Sequence, residues 1–242
     1  MAEAPGSRTP RAPQAPLAPG HAGPALIAHG AGNSRKLVRE ALSDQPDFLE
    51  VDLWVHHHRF EARHERAAYP LPLLVEKWYL RVVPRHPFSL HDLLIETGPA
   101  AGIFLDLKNG AEEAAALVRR SLDSAPGHPR VLASSQQWRL LRALRVTCPE
   151  VDCFYSIDVL PKLDLFLSIA DRDAVPHGVS CEHSLLTRPL VERLHDRGFS
   201  VIAWTVDEPD RARELIAWGV DGITTRCVAE IRTALKLPRP VT

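Results

Sequence analysis

The chain lacks an excess of charge of either sign. Its 29 Lys and Arg residues stand against 30 Asp and Glu, a formal net charge of −1. That balance excludes the global basic field that holds nucleic acid or an anionic membrane, so any anion must be bound locally. Paired cysteine motifs are missing too. Cys148, Cys153, Cys181 and Cys227 form no CxxC spacing. Neither a zinc site nor a disulfide framework is expected, and reduced thiols predict a cytoplasmic protein. No apolar run is long enough to span a bilayer. The first two dozen residues are rich in Pro, Ala and Gly and lack the apolar region of a signal peptide. Residues 1–23 are therefore expected to be a disordered tail. A dinucleotide fingerprint is absent as well, because "GAGNSR", Gly30 to Arg35, stops at a single GxG.

What is present is enough apolar sequence for one core. Of 242 residues, 45% are hydrophobic, and residues 24–242 read as one domain. Eight short runs have the composition of buried strands: "ALIAH", "FLEVDLWV", "GIFLDLK", "RVLASS", "CFYSID", "GVSCEH", "SVIAWTV" and "DGITT". Helical patterns separate them, with Pro189 and Pro209 near helix starts and Gly198 and Gly219 at helix ends. Eight strands alternating with helices predict an α/β fold, a (β/α)8 TIM barrel with a small insertion after the second strand. Residues 56–88 make that insertion, read as a hairpin arm followed by an irregular stretch.

Barrel enzymes carry their sites at the C-terminal ends of the strands. The polar residues expected there are His29, Glu50, Asp52, Asp106, Lys108, Ser134, Ser156, Glu182 and Trp204. Glu50 and Asp52 are two apart on one strand and share a face. At about 4 Å and an effective dielectric near 20, two like charges repel by roughly 4 kcal/mol. A cation or a proton between them relieves that, and Asp106 on the next strand adds a third oxygen donor. An all-carboxylate set suits Mg²⁺ or Ca²⁺ rather than zinc. The competing reading has these carboxylates exposed, or paired with Arg63 or Lys108. Lys108 shares a face with Asp106 and could neutralise a phosphate or form a salt bridge. His64 lies on the return arm of the hairpin after Glu50 and Asp52. Two histidines over such a site suit phosphoryl chemistry, one accepting a proton and one donating. "HHH", His56 to His58, reads as a polar turn. In "LIAHGAGN", His29 admits three readings: a catalytic histidine, part of a glycine-rich phosphate nest, or a polar residue at a turn.

Taken in order, these pieces resemble the glycerophosphodiester phosphodiesterase family over nearly everything after Pro24. "IAHGAGNSRKLVREAL" is similar to the family's opening strand, histidine and helix. Glu50-Val51-Asp52 resembles its acidic pair, His64-Glu65 the His-acidic pair after a hairpin, and Asp106-Leu107-Lys108 its acidic-x-Lys strand. "AWTVDEPDRARELIAWGVDGITTR" resembles its closing Trp-Thr-Val and Gly-Val-Asp-Gly-Ile strands. The resemblance implies that His29 and His64 are the general acid and base. It implies that Glu50, Asp52 and Asp106 hold a divalent cation, Mg²⁺, Ca²⁺ or Mn²⁺. Lys108 would face the phosphate, and Trp204 would pack against the alcohol portion of the substrate. Gly30 stands where the family has a phosphate-facing arginine. The implied reaction cleaves a glycerophosphodiester to glycerol 3-phosphate and an alcohol. The Asp-x-Lys also resembles the related sphingomyelinase D group, which implies a lysophospholipid substrate and a cyclic phosphate product as one alternative. A non-catalytic phosphate-binding module is the other.

Overall fold

Apolar runs that are buried on both faces pair as parallel strands when helices connect them. The computed structural model describes residues 17, 23–68, 71, 73–76, 79–170, 172, 173 and 176–240. In chain order the elements are β1 (Ala25–Ala28), α1 (Arg35–Leu42), β2 (Phe48–His56), β3 (Arg59–Ala62), β4 (Arg66–Ala67), β5 (Leu73–Glu76), β6 (Tyr79–Val82) and α2 (Leu90–Thr97). Then come β7 (Gly102–Leu107), α3 (Ala111–Asp123), β8 (Val131–Ser135), α4 (Trp138–Thr147), β9 (Asp152–Ile157), α5 (Leu160–Ile169) and β10 (Gly178–Glu182). The chain closes with α6 (Arg188–Asp196), β11 (Ser200–Trp204), α7 (Pro209–Ala217), β12 (Gly222–Thr225) and α8 (Val228–Leu235).

Strands β1, β12, β11, β10, β9, β8, β7 and β2 lie side by side, and β1 pairs back onto β2 to close the ring. Every pairing in the ring is parallel. The fold is the expected (β/α)8 barrel. Helix limits follow local chemistry. Ser34 accepts from the Leu37 N–H at the start of α1, and Ser89 with Asp92 forms a capping box on α2. Gly198 and Gly219 adopt φ of 73° and 93° just past α6 and α7, the left-handed ending read from the sequence.

Two features lie outside the ring. The hairpin arm is β3, antiparallel to β2. The stretch expected to be irregular instead contains β4, β5 and β6, paired as an antiparallel sheet. Its strands are two to four residues long, too short for alternation to stand out in the sequence. Leu74 is fully buried and anchors that sheet. Most of the segment expected as a tail, residues 1–23, lies outside the described residues, as do Tyr69, Pro70, Pro72, Lys77 and Trp78 of the insertion. Leu17 is described, and it is buried against the barrel interior, where its carbonyl accepts from Arg130 (2.9 Å).

The inward side chains form two levels. The lower level is apolar: Ile27, Phe48, Phe104, Leu132, Phe154 and Ile202 cluster with Ala25 and Leu17. Phe104 and Phe154 meet edge to face at 6.1 Å, a geometry favoured by the ring quadrupoles. Phe48 lies directly across from Gly102. A Cβ on Gly102 would stand 2.3 Å from the Phe48 ring, so the ring takes the space of the missing side chain. One pleat period higher, the inward positions become polar, and there the site lies.

Candidate active site at the mouth of the barrel

Strand register assembles the carboxylates. Asp52 on β2 stands directly across from Asp106 on β7, and Glu50 lies one period below Asp52 on the same face. One donor oxygen from each of Glu50, Asp52 and Asp106 lies within 4.8 Å of the others. His29, His64, Lys108 and Trp204 line the same cavity of about 330 Å³. Ser134 and Ser156 line it too. The structure thus brings together the seven side chains predicted as catalytic, metal-binding or substrate-binding, with Gly30 at the edge of the group.

The carboxylates are held from several sides. Lys108 Nζ lies 2.5 Å from Asp52 Oδ1 and also donates to Asp106 Oδ2. Asn33 clamps Asp52 twice: its Nδ2 donates to Oδ2 (2.7 Å), and its Oδ1 accepts from the Asp52 N–H (2.9 Å). The Gly30 N–H donates to Glu50 Oε2 (2.5 Å), and His29 Nδ1 lies 3.8 Å from the same oxygen. Gly30 has φ of +65°, a left-handed angle that glycine adopts without a steric penalty.

Burial sets the electrostatics. It pushes the Glu50 carboxyl well above the usual carboxylate range, and Asp52 and Asp106 push in the same direction. Burial also raises Asp106, with Asp52 adding to the shift while Lys108 opposes it. For Lys108, burial works against the charged form, but Asp106 and Asp52 outweigh it and hold the ammonium above its ordinary value. Burial lowers His29 below the usual histidine value, with Asp52 pulling the other way. A neutral imidazole follows at neutral pH, able to accept a proton. Two buried carboxylates and the half-buried Asp106, facing one ammonium, leave an unbalanced negative site, and its all-oxygen donors fit a hard divalent cation.

Other expectations are corrected. Arg63 does not pair with these carboxylates; its guanidinium donates to Glu61 (3.1 Å) and to the Glu65 carbonyl. Glu182 does not line the cavity, because its carboxylate accepts from the Ser184 N–H (3.0 Å) and hydroxyl. The polar turn expected at His56 to His58 is present, with a turn at His57 and His58 between β2 and β3, and His56 and His58 bond Glu61 and Glu113. Sequence reasoning missed Phe104, Gln136, Ser180, Thr205 and Thr224 in the lining. The signal was available for three of them: Phe104 is two residues before Asp106, while Ser180 and Thr224 each lie two past an inward glycine. Thr224 is buried, and its Oγ1 has no hydrogen-bond partner among the described residues.

Fold and rim together make a (β/α)8 barrel with histidine and carboxylate side chains at its mouth. The chain belongs to the glycerophosphoryl diester phosphodiesterase family, whose model matches residues 75–228. That span contains Asp106, Lys108 and Trp204; His29, Glu50, Asp52 and His64 precede it and join them through closure of the ring. Solved structures share the fold. A phosphodiesterase from Oleispira antarctica, in complex with the product sn-glycerol-3-phosphate, has a TM-score of 0.72 at 16% identity, covering 88% of this chain and 97% of that one. A glycerophosphodiester phosphodiesterase from Parabacteroides distasonis gives 0.69 at 18% identity, over 88% and 97%. One from Agrobacterium tumefaciens gives 0.65 at 16%, over 89% and 100%. No curated protein sequence matches the chain. No helix among the described residues is long and apolar enough to cross a membrane.

Proposed function

We propose that this protein hydrolyses glycerophosphodiesters to glycerol 3-phosphate and an alcohol, using a divalent cation held by Glu50, Asp52 and Asp106. The observation that carries the reading is the convergence of these carboxylates with His29, His64 and Lys108 on one cavity. Family membership supports it. So does the capture of sn-glycerol-3-phosphate by the Oleispira antarctica phosphodiesterase. When bound, the cation supplies Lewis acidity to the phosphoryl oxygens and offsets the charge that builds on them. Oxygen donors suit Mg²⁺, Ca²⁺ or Mn²⁺.

The chain's own residues do the rest. Lys108 presents its ammonium to the phosphate. His29, deep in the mouth and neutral, takes a proton from the attacking water, whose oxygen bonds to phosphorus as the bond from phosphorus to the alcohol oxygen breaks. His64, at the outer margin of the cavity, gives a proton to the departing alcohol oxygen. Trp204 lines only the barrel mouth, so in this reading it packs against the glycerol carbons rather than the alcohol portion that the resemblance implied, and the Thr224 hydroxyl finds in a glycerol hydroxyl the partner it otherwise lacks. Gly30 brings its backbone near the phosphate without the guanidinium that the family places there.

The test is ³¹P NMR of a glycerophosphodiester incubated with the protein and Mg²⁺, Mn²⁺ or Ca²⁺. Glycerol 3-phosphate is the expected product. An accumulating cyclic phosphate would replace hydrolysis with intramolecular transfer, and no turnover with any of the three ions would make the chain a binding module.

A further inference from the structure

A second cavity, of about 470 Å³, opens beside the barrel mouth. The two share four side chains: His64, Asp106, Lys108 and Gln136. Three of these are the residues assigned above to the phosphate, the cation and the departing oxygen. A diester with its phosphorus at that junction puts one arm in each cavity. His29 lines only the barrel mouth, whereas His64 lines both. The arm that leaves with a proton from His64 therefore belongs in the second cavity.

The second cavity has its own chemistry. Beyond the shared residues it is lined by Trp54, Arg66, Leu107, Asn109, Gln137 and Lys162. Two of its cations are balanced. Lys108 lies between Asp52 and Asp106, and Lys162 pairs with Asp158 at 2.7 Å. Arg66 is exposed at the start of the insertion sheet and makes no ion pair or side-chain hydrogen bond with any described residue. The amides are already engaged: Asn109 bonds both backbone groups of Val55, and Gln137 donates to the Lys108 carbonyl. The apolar part of the lining is Trp54 and Leu107, too little to house an acyl chain. Arg63 sits over the Trp54 ring at 5.1 Å, so a cationic head group would meet a guanidinium where it could have stacked on an indole.

We propose, resting on the hydrolase reading above, that this cavity receives the leaving alcohol and that Arg66 selects diesters whose alcohol carries an anionic group. An unbalanced guanidinium beside a polar cavity favours phosphate or carboxylate through charge-assisted, bidentate hydrogen bonds.

The experiment uses the full chain with Mg²⁺ and three substrates that share the glycerol arm: glycerophosphocholine, glycerophosphoinositol and glycerophosphoinositol 4-phosphate. The last two differ by one phosphate. The wild type should favour the phosphorylated substrate over glycerophosphoinositol by about ten- to a hundredfold in kcat/KM, the scale of one charge-assisted contact. Most of the difference should lie in KM. Arg66→Gln should bring that ratio near one, and Arg66→Glu should move the preference towards the choline substrate. A wild-type ratio near one, or a ratio that Arg66→Gln leaves in place, overturns the proposal. If no diester is cleaved, the hydrolase reading fails by itself. Calorimetry with inositol 4-phosphate alone then still tests the cavity. Binding at least tenfold weaker in Arg66→Gln supports the proposal, and equal or absent binding in both proteins refutes it.

Discussion

The two levels inside the barrel are built by the same strands and separated by one pleat period, yet they have opposite properties. Ile27, Phe48, Phe104, Leu132, Phe154 and Ile202 form the lower level. Two residues further along each strand stand His29, Glu50, Asp106, Ser134, Ser156 and Trp204. Burying a large apolar side chain contributes about 1.5–3 kcal/mol, so the lower level stabilises the ring. The upper level works the other way, since burial first, and then repulsion among Glu50, Asp52 and Asp106, hold Glu50 and Asp106 above their usual range. Stability and chemistry are thus divided along each strand, with 6–7 Å of backbone between them.

Substitutions at the two levels should separate cleanly. Asp52→Asn is expected to cost about 10³-fold or more in kcat, the scale of several kcal/mol that a bound cation supplies. Its thermal midpoint should stay level or rise. Phe154→Ala should do the reverse, losing about 3–5 kcal/mol of stability while the folded fraction keeps its kcat. Parallel denaturation and steady-state kinetics check both, and a comparable stability loss in Asp52→Asn would erase the division. Next in size are His29→Ala and His64→Ala, each expected to lower kcat by about 10²–10⁴-fold. The double variant should fall short of additivity, because both serve one proton-transfer cycle. Near-normal kcat in both single variants would remove histidine from the mechanism.

Gly30→Arg sharpens the comparison at the boundary of the upper level. A side chain at φ +65° costs about 1–2 kcal/mol of stability. The added guanidinium should raise kcat/KM for a small glycerophosphodiester by roughly ten- to a hundredfold. A folded variant with sharply lower activity would instead assign the phosphate contact to the Gly30 backbone. The smallest effect lies outside the barrel interior, at His195. Its hydrogen bond to Asp221 (3.0 Å) raises it above the ordinary value of 6.5. The stability it adds is complete below 6.5 and is lost as pH rises through the raised value. His195→Gln should flatten that decline in the thermal midpoint, and an unchanged pH profile would show the pair to be silent.

Much of this was legible in the sequence because parallel strands buried on both faces leave continuous apolar runs, as in "GIFLDLK" and "SVIAWTV". The polar ends were legible because a carboxylate or histidine closing such a run has few structural reasons to be there. The second of those runs was read two residues too long: β11 ends at Trp204, and Val206 bonds the Thr224 carbonyl across to β12. The grip of Asn33 on Asp52 depends on a turn of 3-10 helix, Ala31–Asn33, that composition does not announce. The insertion sheet was missed because strands of two to four residues carry too little alternation. The second cavity was illegible for a different reason: Arg66 and Lys162 are 96 positions apart and meet only through the fold.

The central claim is that the upper level is a divalent-cation phosphodiester site. The most direct measurement is titration of Mn²⁺ or Mg²⁺ into metal-stripped protein, following glycerol 3-phosphate release and the thermal midpoint together. The account predicts no turnover before addition, saturable recovery of activity, and a rise in the midpoint with the same ion dependence, all absent from Asp52→Asn. Full turnover after exhaustive metal removal, or recovery in Asp52→Asn equal to that of the wild type, would contradict it.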